Sequence, residues 1–211
     1  RGSGKDCRPL SVTRRVDERP VRCDMMPRGM GMREITLPEA KPAFEWVNGR
    51  ALQKVSPRRL HGLAQGRFFA ALDAWAQRDR TGAVATEWRF HVQPPHEIRR
   101  PLVPDVAFLS YDRLSFAEQY ATDEPKIAPD VVVEVLSPGD RRRDVEEKIR
   151  VYLAAGTSAV FLVDTNTRTV TVRDSNGARV VEEGGDLTHD ALPGFRLRTA
   201  RLFSLAKPKS K

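Results

Sequence analysis

A chain of 211 residues with 40% hydrophobic and 30% charged side chains can bury one sizeable core and has the polarity of a globular protein. It holds no unbroken apolar run of about 18 residues and no apolar leader stretch near its start, which argues against a spanning helix and a secretory signal and points to the cytoplasm. The 36 lysines and arginines outnumber the 28 acids, for a formal charge of +8 that favours phosphate-rich partners, although much of the excess lies in residues 1–33 and at Lys207, Lys209 and Lys211.

Residues 1–32 carry scattered apolar side chains without a period and are expected to be a disordered N-terminal segment. Cys7 and Cys23 both fall there, too few for a four-ligand zinc site and without C-x-x-C spacing, so they read as free thiols. The domain proper is expected over residues 33–206, followed by a basic tail at 207–211. Residues 44–47 and 50–55, separated by Asn48–Gly49, predict an N-terminal β-hairpin, because Asn-Gly suits a tight turn with positive φ. Leu63, Phe68, Leu72 and Trp75 recur at helical spacing and predict a helix over residues 60–80, stopped by Thr81–Gly82.

Residues 84–92 and 103–110 predict strands, the second with Asp105 near its start, and 111–126 read as loop with a short helix. Residues 131–136 are β-branched or apolar except for Glu134, the pattern of a strand buried on both faces. After a turn at 137–140, Val145, Ile149, Tyr152 and Leu153 mark the apolar stripe of a helix over 141–155, with Gly156 at its C-terminal end. Residues 159–163 predict another buried strand, and a strand–helix–strand unit of this length implies a right-handed parallel crossover. A hairpin over 167–182 turns at residues 175–177, and a last core element lies near 195–205. The sum is one mixed α/β domain with a central sheet.

Glu134 carries the chemical information. A carboxylate among Val131, Val132, Val133, Val135 and Leu136 loses hydration, which is expensive unless its pKa rises, a base pairs with it, or a cation binds. Asp105 is similarly placed among Val103, Val106, Ala107 and Phe108. Two such acids on neighbouring strands can converge on one hard divalent ion such as Mg²⁺, or Mn²⁺, which a nuclease uses to bind a phosphoryl oxygen and to acidify water. Lys148 lies beside the apolar stripe of the following helix, where its ammonium can reach the strand end. A structural ion pair fits the same residues equally well.

Other residues carry weaker signals. Glu45 reads as a metal ligand, a support for the site, or a local ion pair; His61 and Ser137 as accessory groups or as cap and turn residues. Arg141, Arg142 and Arg143 read as phosphate contacts or as a solvated helix start. His91, His96 and His189 read as surface or loop groups, and Trp46, Trp75 and Trp88 as core rather than a base-stacking platform.

The segments Val103-Pro-Asp-Val-Ala-Phe108 and Ala128-Pro-Asp-Val-Val-Val-Glu-Val-Leu-Ser-Pro138 resemble the signatures of a known family, as do Asp144, Lys148, Tyr152, Leu153, Ala155, Gly156 and residues 160–164. Glu45 with Asn48–Gly49, His61, and Leu192-Pro-Gly-Phe195 fit the same pattern. The likeness covers residues 35–205 and is to the Uma-type family of restriction endonucleases, within the PD-(D/E)XK nuclease superfamily. It implies a mixed sheet flanked by helices and a Mg²⁺-dependent phosphodiester hydrolase acting on nucleic acid, DNA first. It implies Asp105 and Glu134 as metal ligands. The superfamily lysine usually sits two residues after the glutamate; that position is Leu136, and Lys148 resembles a migrated replacement. The departure leaves open a catalytically inactive module of the same fold that binds nucleic acid or protein. Cutting both strands of a duplex would suit a homodimer.

Overall fold

The computed structural model describes residues 34–54 and 57–205. The expectations for residues 1–32, for both cysteines and for the 207–211 tail lie outside the described residues. The hairpin forms from β1 (Phe44–Val47) and β2 (Arg50–Gln53), and its turn residues Asn48 and Gly49 take φ of 50° and 72°, the geometry that a two-residue hairpin loop requires. Helix α1 (Arg59–Asp79) buries Ala64, Phe68, Leu72, Trp75 and Ala76 along one face. Its end differs from the expectation. Arg80, at φ 53°, makes the left-handed cap, and Gly82 is instead the first residue of β3 (Gly82–Thr86).

The strand expected over 84–92 is two strands. Glu87 takes φ 52°, which breaks the pleat, and the chain resumes as β4 (Phe90–Val92), paired with β5 (Arg100–Leu102) in a separate ribbon. The following strand β6 (Val106–Ser110) starts one residue after Asp105. Then come α2 (Phe116–Ala121), closed by a Ser115–Glu118 capping box, β7 (Val131–Leu136) and α3 (Arg142–Ala154), followed by Gly156 at φ 96°. The chain ends with β8 (Ala159–Asp164), β9 (Thr169–Asp174), β10 (Gly177–Val181), β11 (Asp186–Leu187), β12 (Leu197–Arg198) and α4 (Ala200–Phe203).

The central sheet has the order β10-β9-β8-β7-β6-β3 and is mixed: β7 and β8 run parallel, the other neighbours antiparallel. Strand alternation sorts its side chains onto two faces. Val131, Val133, Val135, Phe108 and Phe161 meet α1 and α4 on one face, where Phe68 stacks on Phe161 at 5.6 Å between centroids. Val132, Ala107, Leu109 and Val160 meet α3, the first hairpin and the β4–β5 ribbon on the other. Glu134 shares the parity of Val132 and therefore belongs to the face covered by α3. No helix among the described residues is long and apolar enough to cross a membrane.

Candidate functional site

The site lies at the C-terminal end of β7, where that strand parts from β6 while still paired with β8. Asp105 sits just before β6, beyond the last β6–β7 pair, and its Oδ2 accepts the Val135 N–H at 2.7 Å in place of a ladder carbonyl. It is 2% exposed. Its Oδ1 accepts from Lys54 Nζ at 2.7 Å, and His61 Nε2 lies 3.4 Å from its Oδ2. His61 Nδ1 faces Ser137 Oγ at 3.3 Å, so this ring bridges the acid and the turn after β7.

Glu134, 9% exposed, points at α3, where Lys148 Nζ stands 2.7 Å from its Oε1. The approach is ionic only: that buried oxygen has no hydrogen bond of acceptable geometry. Lys148 also donates to Glu45 Oε2 at 3.1 Å, while Glu45 Oε1 accepts the Val103 N–H at 2.8 Å. Asp105, Glu134, Lys148, Glu45, His61 and Ser137 thus line a single cavity of about 210 Å³.

Electrostatics follow from burial among like and unlike charges. Burial lifts the Glu134 carboxyl, Lys148 opposes the shift, Asp105 and Glu45 add to it, and the pKa is pushed up to about 8. Burial alone would also raise Asp105, but Lys54, Lys148 and the Val135 N–H together hold it below the usual carboxylate range. Burial alone would lower both lysines, yet the surrounding carboxylates outweigh it and hold their ammonium forms. Burial, reinforced by Glu134, Glu45 and Asp105, raises the Tyr152 phenol, whose hydroxyl is buried without a hydrogen-bond partner.

Two hard carboxyl groups on the wall of one cavity fit a small divalent ion that keeps several waters. Among the described residues no group of three or more His, Cys, Asp and Glu side chains forms a fuller protein cage. Leu136, two residues after Glu134, lines the cavity and offers no charge.

Of the arginine trio, Arg141 lines the cavity, whereas Arg142 and Arg143 are exposed and absent from its wall. Of the histidines read as surface or loop groups, His91 is instead half-buried on β4 between Glu34 and Glu124 at 2.6 and 2.8 Å, while His189 does lie in a loop, half-buried and 3.2 Å from Asp174. Trp75 is core; Trp46 and Trp88 are only half-buried.

Sequence reasoning missed Lys54, Gln65 and Glu87. Lys54 donates to Asp105, to Val103 O at 2.9 Å and to Glu87 Oε1 at 3.2 Å. Gln65 Nε2 bonds both Glu87 Oε1 and Asp105 O. A signal for Lys54 existed in the hairpin register: Glu45 pairs with Leu52, so alternation puts Glu45, Leu52 and Lys54 on one inward face.

The family model described as "Uma2: Putative restriction endonuclease" matches residues 34–200. A crystal structure of "a putative nuclease belonging to DUF820 from Anabaena variabilis ATCC 29413" is similar at TM-score 0.71 and 25% identity, over 79% of this chain and 93% of that one. No protein of curated description matches.

Proposed function

Because this chain belongs to the Uma2 family and has a nuclease fold, we propose that it is a divalent-metal-dependent phosphodiester hydrolase whose substrate is DNA. The observation that carries the reading is the convergence of Asp105, Glu134 and Lys148 on the lining of one cavity. Asp105 and Glu134 would hold Mg²⁺ or Mn²⁺. When bound, that ion would supply positive charge to a phosphoryl oxygen and acidity to water.

The remaining work falls to side chains already in place. Lys148, kept cationic by Glu134 and Glu45, offers its ammonium to the charge that builds on the pentacovalent phosphate. Glu45 positions Lys148 and is itself fixed by the Val103 N–H. His61, wedged between Asp105 and Ser137, orients the aspartate and is within reach of a proton leaving the nucleophilic water. Arg141, exposed on the cavity wall, is placed to meet a neighbouring phosphate.

The test is cleavage of supercoiled and linear duplex DNA, single-stranded DNA and RNA in Mg²⁺ or Mn²⁺. Asp105→Asn and Glu134→Gln are expected to abolish cleavage with the circular-dichroism spectrum unchanged. Lys148→Met is expected to lower kcat by about 10²–10³-fold. Full activity in both folded acid variants would defeat the assignment.

A second reading, an inactive binding module, draws on one observation. An ammonium, that of Lys54, already occupies Asp105 Oδ1. DNA binding without cleavage in either metal would favour it.

A further inference from the structure

We propose that Lys54 is a tethered competitor for the divalent cation, and that its ammonium must move from Asp105 to Glu87 for the cation to bind. The proposal rests on the reading of Asp105 and Glu134 as metal ligands. Glu134 already has an ammonium beside it, that of Lys148, which Glu45 shares. Asp105 has a second, because Lys54 reaches it from the end of the hairpin at 2.7 Å. The carboxyl groups of Glu45, Asp105 and Glu134 therefore share two ammonium groups. A divalent ion entering between Asp105 and Glu134 gains those two carboxyl groups and is repelled by both ammonium groups, in surroundings where charges interact strongly.

Lys148 has little freedom to withdraw, since both of its partners lie within the cluster. Lys54 differs. Its ammonium also contacts Glu87 Oε2 at 3.0 Å and Val103 O at 2.9 Å. The Glu87 side chain is 47% exposed, and its other oxygen is steadied by Gln65 at 3.1 Å. Lys54 can release Asp105 and remain paired. The exchange moves one positive charge outward as two enter, which sets a metal threshold higher than that of a site without the lysine.

Calorimetric titration of the full chain with Mn²⁺ alone tests this, together with melting temperatures in chelator and in Mn²⁺. Lys54→Met is expected to bind Mn²⁺ about tenfold or more tighter than the unaltered protein. Its melting temperature should be lower in chelator and its Mn²⁺-induced shift larger. Glu87→Gln, which removes the outer partner, should bind Mn²⁺ several-fold more weakly. Equal or weaker affinity in Lys54→Met overturns the proposal, and should that variant fail to fold, unchanged affinity in Glu87→Gln overturns it. Asp105→Asn separates the two readings. If it abolishes binding while Lys54→Met changes nothing, only the competition fails. If neither the unaltered protein nor Lys54→Met binds millimolar Mn²⁺, the metal site and the competition fail together.

Discussion

The Glu134 carboxyl shows how one residue ties stability to pH. Its folded pKa of about 8 stands well above the unfolded value of about 4.3. Between those limits the native state holds a proton that the unfolded chain has released. The stabilisation is therefore complete below the unfolded pKa and is lost as pH rises through the folded one. Asp105 runs the other way: its folded pKa is lowered, so its contribution is present above the ordinary aspartate range and disappears on acidification. Glu134→Gln removes the first dependence. In metal-free buffer the variant should gain on the unaltered protein between pH 6 and pH 9, by something on the order of 2 kcal/mol. Thermal melts across that interval measure it, and a constant offset between the two proteins would contradict the raised pKa. The same burial explains why Glu134 could be singled out from sequence: an acid in a valine run announces its own difficulty. Lys54 made no such announcement, because its importance depends on which residues stand across the hairpin and not on its neighbours in the chain.

Elements were legible in proportion to their length and regularity. The first hairpin, α1, β7, α3 and β8 all match the sequence pattern, because each has a clear period or an unmistakable turn. What escaped was set by backbone geometry that no period encodes. Glu87 at φ 52° splits one expected strand into β3 and β4, and β5, β11 and β12 are three residues or fewer. Gly82 is the instructive misreading. It looked like a helix stop, and its real constraint is the close approach of β3 to β6: a Cβ there would lie 2.2 Å from Leu109 O and 2.7 Å from the Phe108 ring. Gly82→Ala should therefore force the two strands apart and lower stability by about 1–3 kcal/mol. Urea unfolding is the measurement, and an unchanged midpoint would mean that the sheet edge yields without strain.

On the scale of the whole molecule, charge and chemistry occupy different parts of the chain. Residues 1–33 carry nine basic and four acidic side chains and residues 206–211 three lysines, so residues 34–205 hold 24 of each sign. The family-matched region, 34–200, thus has no surplus charge to draw in a polyanion, and the excess of +8 belongs to the ends. A protein trimmed to residues 34–205 should keep its cleavage at saturating DNA and bind with a salt slope shallower by several units, since each phosphate neutralised contributes about 0.9 to that slope. Filter-binding titrations over a range of salt would show this, and an identical slope would place the phosphate contacts in the neutral domain. The first hairpin has a different consequence. It is a two-stranded sheet of its own, fastened at its tip by Asn48 and Arg50 to Asp144, and it alone delivers Glu45 and Lys54. Peeling that small ribbon away would disarm the cleft while the α1 side of the sheet stays shut. Because Val47 of the same ribbon is buried in the core on the α3 face, lifting it would also break that packing, so the armed cleft and the packing of that face stand or fall together.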